Sequence, residues 1–198
     1  NLNKCFWYGI AWYFTPAGEP KMTTGHDDGY SIHLQSSNGD GTSELIQRIN
    51  NHHGQRTLGL CLAPDGSDTD EFKYRLQQAK KMSHRVKSAP LGRKYIGVGF
   101  RAIWKMMLQY PIGATCFTRK QCQKLQATYL PAFLSKMGIN RTTSTAVRHG
   151  PSHLGGMEVF DFETEQGIQH TKLIIAHLRK NDEVSKLLSI SLDHLQLQ

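Results

Sequence analysis

Sixteen lysines and arginines stand between Phe72 and Met157 without one aspartate or glutamate among them. That segment carries a formal charge of +16, whereas residues 1–71 carry −5 and residues 158–198 carry −3. A solvated helix face ordinarily interleaves both signs, because opposite charges three or four residues apart attract and like charges repel. Excluding every carboxylate leaves repulsion that a polyanion relieves best, and phosphate backbones are the usual polyanion. Solubility alone would be met by mixed signs. The chemistry this pattern points to is phosphate binding. Lys73, Arg75, Lys80, Lys81, Arg85 and Lys87 are its first candidates, and Arg93, Lys94, Arg101 and Lys105 come next.

Other chemistries find weaker support. There are ten histidines, but no Cys-x-x-Cys. The nearest metal pattern joins Cys116 and Cys122 to His149 and His153, where the His pair has zinc spacing and the Cys pair is too wide. Asp27-Asp28 lies in a Gly-His-Asp-Asp-Gly turn, and Asp65, Asp68, Asp70 and Glu71 lie at a strand-to-helix junction. Two-metal phosphoryl chemistry needs carboxylates fixed on rigid strand ends. Turn and helix-cap roles account for these acids without it. No Gly-x-Ser-x-Gly occurs, and no cysteine has an evident base beside it. No catalytic or metal residue is expected in this segment.

The elements that must position the cations change character near residue 69. Cys5 to Phe14 is dense in aromatics and reads as a strand buried on both faces, followed by a Thr15-Pro16-Ala17-Gly18 turn. Ser31–Gln35 alternates and is broken by Ser37-Asn38-Gly39-Asp40-Gly41. Residues 43–50 read as strand. Thr57–Leu62 alternates again, with Leu58, Leu60 and Leu62 on one face. After Ser67 the period becomes helical: Phe72, Leu76, Ala79, Met82 and Val86 form one stripe behind a cap at Asp68 or Thr69. A second helix presents Ile96, Phe100, Ile103, Trp104, Met107 and Leu108 and is broken at Tyr110-Pro111-Ile112-Gly113. Thr118 and Gln121 make a capping box for a third, running from Arg119 to about Tyr129, where Pro131 kinks or ends it. Gly150–Gly156 reads as a turn, since it lacks the context of a phosphate loop. Residues 164–180 and 182–196 read as helices.

With 198 residues and 38% hydrophobic content, the chain can fill a real core. Four cysteines do not make a disulfide scaffold, so free thiols in a reducing, intracellular compartment are expected. The longest apolar run, Phe6–Phe14, is too short to span a bilayer, and no membrane partner is expected. The chain opens on Asn1 inside a patterned segment, which suggests a piece excised from something longer.

Several words in this order resemble the region after the catalytic core in reverse transcriptases of non-LTR retrotransposons. They are LNKCFWYGIAWYF (2–14), RTLGLCLAPDG (56–66), EFKYRLQQAKK (71–81), YPIGATCFTRKQCQKLQ (110–126), LSKMGINR (134–141) and TEQGIQHTKLIIAHLR (164–179). In that family a strand pair opening with an Asn-x-Lys-Cys-like word follows the catalytic Asp-Asp hairpin, and Asn1-Leu2-Asn3-Lys4-Cys5 holds that place. A primer-grip word centred on Leu-Gly is matched by Leu58 and Gly59. A helical thumb follows, and residues 70–198 match it in order and character. The resemblance implies that the catalytic carboxylates and their Mg2+ belong to an upstream polymerase core of the same parent chain. No cofactor is then expected in this segment.

The expected fold is α+β: residues 1–69 as a short antiparallel end of a palm, with the primer-grip-like strand, and residues 70–198 as a helical, thumb-like bundle. The implied function is a non-catalytic palm/thumb segment gripping an RNA/DNA template–primer duplex by its phosphates, where an acid would be repelled. Two other readings stand beside it. One is a free-standing basic nucleic-acid-binding or ribonucleoprotein module, and the other a protein-interaction domain for an acidic partner.

Overall fold

The computed structural model describes residues 5–24, 30–35 and 43–196. The chain is α+β and divides into two compact units, Asn1–Glu71 and Phe72–Gln198. The Asn1–Lys4 word, the Asp27-Asp28 pair and the Ser37–Gly41 break lie outside the described residues.

In the first unit the described strands form four separate pairs. Strand β1 (Phe6–Tyr8) pairs with β6 (Gln47–Ile49) in parallel, a departure from the antiparallel expectation. The other three pairs are antiparallel: β2 (Ile10–Phe14) with β3 (Pro20–Thr24), β4 (His33–Gln35) with β5 (Ser43–Leu45), and β7 (Gln55–Thr57) with β8 (Leu60–Leu62). The single strand expected over Cys5–Phe14 is thus two, broken at Gly9 because its halves take different partners. Asn51, fully buried, fixes that break by donating its side-chain amide to the carbonyls of Gly9 (2.8 Å) and Thr23 (3.2 Å). Nor is β2 buried on both faces, since Trp12 is 66% and Phe14 73% exposed. Among the described residues, every buried hydrophobic side chain belongs to the second unit.

The expected strand through Thr57–Leu62 is a hairpin. Leu58 (φ 51°) and Gly59 (φ 90°) form its two-residue turn, with positive φ at both positions as the hairpin twist demands. Leucine is a poor signal for such a turn, which is why the alternation reads as a strand. The acids at the following junction hold this hairpin in place. The Cys61 N–H donates to Glu71 (2.8 Å), and the Gly54 N–H donates to Asp70 (2.9 Å).

Helix α1 (Thr69–Ser88) carries the expected stripe, with Ala79 and Val86 buried and Phe72, Leu76 and Met82 packed against the core. Next, α2 (Arg93–Gly99), a π-helical stretch (Phe100–Lys105) and α3 (Met106–Ile112) follow without interruption. Ile96, Phe100, Trp104, Leu108 and Ile112 are all buried at a spacing of four. That spacing gains about 40° per step on a 3.6-residue turn. A plain α-helix would carry the row away from the core, and the wider π turns restore it. Ile103, expected on this stripe, is 61% exposed for the same reason.

Helix α3 runs through Pro111 to Ile112, one residue short of Gly113. Helix α4 (Arg119–Met137) starts at the expected Thr118/Gln121 capping box but continues through Pro131. Burial of Leu130, Ala132, Phe133 and Leu134 keeps the chain helical past the proline. The helix stops at Gly138 (φ 75°), where the Ile139 N–H returns to the Leu134 carbonyl at 2.9 Å. Trp104, Tyr129 and Phe133 interlock at the centre, with Trp104 and Tyr129 edge to face at 5.1 Å. The short α5 (Thr145–His149) leads through the Gly150–Gly156 turn to α6 (Phe162–Lys180), capped by Asp161, and then α7 (Glu183–Gln196).

Candidate nucleic-acid interface

With its apolar stripe turned to the core, α1 sends its cations outward. Lys73, Lys80 and Lys87 are exposed and fall on one line with Gln77 and His84, at helical spacings of four and three. The line extends roughly 21 Å along the axis at 1.5 Å per residue. Lys81 and Arg85 are exposed further round the same helix. The sequence reading missed Gln77 and His84, although the 4-3-4-3 spacing from Lys73 to Lys87 would have found them.

Arg75 departs from expectation. It falls between Phe72 and Ala79 on the inward face, is 4% exposed, and donates from Nη1 to the Met107 carbonyl at 3.3 Å. Its guanidinium is turned into the bundle and away from solvent. Other cations of the acid-free segment also serve carbonyls: Lys136 Nζ reaches Ala89 (3.0 Å), and Arg148 Nη2 reaches Arg141 (2.8 Å) and Thr143 (2.9 Å).

Arg93 and Lys94 are exposed at the start of α2. The Arg93 guanidinium lies over Gly138, at the carbonyl end of α4, where the helix dipole favours a cation. Arg101 is exposed in the π-helical stretch, whereas Lys105 is half-buried there. Of the cations expected at the interface, the outward ones thus form a row on α1 and a second, sparser group along α2 and the π turns.

In the first unit, Leu58 and Gly59 occupy the hairpin tip, and Leu58 is 86% exposed. They border a cleft of about 870 Å³ lined by Phe6, Leu34 and Ile46.

Three of the carboxylates at the junction bond to the groups around them. Glu71 accepts the Cys61 N–H of the hairpin, Asp70 accepts the Gly54 N–H just before it, and Asp65 accepts from the Ser67 N–H (2.8 Å) with His52 Nδ1 at 2.7 Å. Burial opposes ionisation of Asp65, but the bonds from His52 and Ser67 outweigh it and hold its carboxyl below the ordinary value. Among the described residues no group of three or more His, Cys, Asp or Glu is placed to hold a metal ion. Cys122 is buried with its Sγ directed at the Phe117 carbonyl, and His149 Nδ1 lies 2.6 Å from the Val159 carbonyl. Among the described residues no helix is long and apolar enough to cross a membrane.

No family model, curated protein or solved structure matches this chain.

Proposed function

We propose that the chain is the palm-end and thumb part of a reverse-transcriptase-like polymerase of the non-LTR retrotransposon type, and that α1 grips the template–primer duplex by its phosphates. The observation that carries this reading is the outward line Lys73, Lys80 and Lys87 on a helix whose opposite face is core, within a segment free of carboxylates. Such a surface supplies positive charge that a phosphate backbone of any sequence can meet. That suits a hybrid duplex, whose narrow major groove favours recognition by shape and backbone.

The β unit supports the same reading. Isolated two-stranded pairs are marginal in water. Here four of them expose Trp12, Phe14, Leu45 and Leu62, with no buried hydrophobic residue among those described. The polymerase core of the parent chain would supply the missing sheet neighbours and cover that surface. Mg2+ and its carboxylates would reside there too, and Leu58-Gly59 at the hairpin tip would position the primer strand.

The test is a fluorescence titration of an RNA/DNA hybrid with the purified chain at several salt concentrations. About six phosphate contacts predict a loss of roughly a thousandfold in affinity between about 50 and 200 mM salt, with little sequence preference. Salt-insensitive binding, or none, would refute the reading.

A further inference from the structure

A cleft of about 890 Å³ opens in the helical unit among α4, α5 and the start of α6. Its floor is apolar: Leu130, Leu134 and Cys122 are buried there, and Ala127 and Pro131 extend it. Its rim carries Arg119, Arg141, Arg148 and the amide of Gln123. The two rim carboxylates are already engaged. Asp161 caps α6, accepting from the Thr164 N–H (3.0 Å) and hydroxyl (2.6 Å), and Glu163 lies 3.5 Å from Arg119. Three guanidinium groups against two carboxylates leave one positive charge, the complement of a single phosphodiester.

Two further features favour an anion. Helix α4 has no acid in its first turn and places Arg119 and Lys120 there, where the helix dipole prefers negative charge. Arg148 is fixed by its bonds to the Arg141 and Thr143 carbonyls, so little side-chain entropy remains to be lost on binding. The volume falls within the range of small-ligand sites. An apolar floor beneath a cationic and amide-bearing rim matches one base attached to one phosphate. A base inside a duplex cannot enter such a cleft, because both its faces are stacked. An unpaired base can.

We propose that this cleft holds one unpaired nucleotide of an RNA or DNA strand, with its base on the floor and its phosphate at Arg141 and Arg148. The inference rests on the nucleic-acid reading above and adds a single-strand subsite to it. The experiment uses the full chain with three labelled probes: a blunt RNA/DNA hybrid, the same hybrid with a single-stranded tail, and the tail sequence alone as RNA and as DNA. Arg141→Gln removes an exposed rim charge, and Ala127→Trp fills the floor at an exposed position. Each variant should weaken binding of the tailed and single-stranded probes by about tenfold, the effect of removing one phosphate or base interaction, and leave the blunt hybrid within about twofold. If the tail adds nothing to wild-type affinity, or if both variants keep wild-type affinity for single strands, the subsite does not exist and the duplex grip stands. If the wild-type chain binds no probe at all, both readings fall.

Discussion

Arg75 donates to the carbonyl of Met107 at 3.3 Å, and that carbonyl is the one Pro111 cannot serve. In an α-helix the N–H of residue 111 would reach back four residues to the oxygen of residue 107, and proline has no N–H to send. A buried side chain from α1 therefore satisfies a gap in α3, and the bond is strengthened by the arginine charge. A proline in one helix and an arginine 36 positions upstream in another form one structural unit.

This unit has a thermodynamic signature. Arg75→Met should destabilise the chain by about 1–3 kcal/mol, the effect of taking the partner from a part-buried carbonyl. With Pro111→Ala, which restores the helical N–H, the same change should be less damaging, with a coupling of about 0.5 kcal/mol or more. Urea unfolding of the four proteins measures this. Strict additivity would mean that the two residues do not share the carbonyl.

Cys122 predicts a pH dependence. Burial pushes its thiol up to about 11 from an ordinary 9.0, helped by the nearby carboxylates of Glu163 and Asp161. Below pH 9 the thiol is neutral in both states and adds no slope. Between pH 9 and about 11 the unfolded thiol ionises while the folded one does not, so stability falls as pH rises through this window. Denaturation midpoints taken across that range under reducing conditions should decline for the wild type and decline less for Cys122→Ala. Parallel pH profiles would show that the thiol is not held neutral by the fold.

The helical half was legible because its signals are local. The stripe from Phe72 to Val86 and the Thr118/Gln121 box each act within a turn or two, and both stand in the structure. Signals that depend on distant partners failed. The aromatic run Phe6–Phe14 has the composition of a doubly buried strand, but no described element covers Trp12 or Phe14. Pro131 looks like a helix end unless one knows that the residues on both sides are buried. The cations were easy to count, yet counting did not separate Lys80, which points outward, from Arg75, which points in. The cleft rim gave no signal because Arg119, Arg141 and Arg148 come from different elements and meet only in space.

Leu58 offers a test of backbone strain. A leucine at φ 51° brings its Cβ close to the neighbouring carbonyl oxygen, at a cost of about 1–2 kcal/mol, and this one is 86% exposed and gains little packing in return. Leu58→Asn should raise the stability of the hairpin by about 0.5–1 kcal/mol, because asparagine tolerates the left-handed region and suits this turn. Thermal unfolding reads the change. A loss of stability would mean that the leucine side chain makes an interaction worth more than the strain. If the proposed polymerase reading holds and Leu58-Gly59 positions a primer, the same variant in that polymerase should be more stable and yet extend primers more slowly.

The row on α1 makes the last prediction. Lys80 and Lys81 are exposed on a helix held by its opposite face, so replacing both with alanine should change stability by no more than about 0.5 kcal/mol. Their removal should nevertheless weaken binding to every hybrid sequence about equally, because phosphate contacts carry no sequence information. Each lysine–phosphate pair removed should lower the slope of log affinity against log salt by about 0.9, so the double variant should fall by nearly two units. Arg75→Met supplies the internal contrast. Its charge belongs to the same helix and the same sequence run, but it is buried against α3, so under conditions where the protein stays folded the salt slope should not move. A double lysine variant with wild-type slope would move the grip off α1, towards the cations between Arg93 and Lys124. An Arg75 variant with a reduced slope would mean that charge count, and not the outward placement of charge, governs binding.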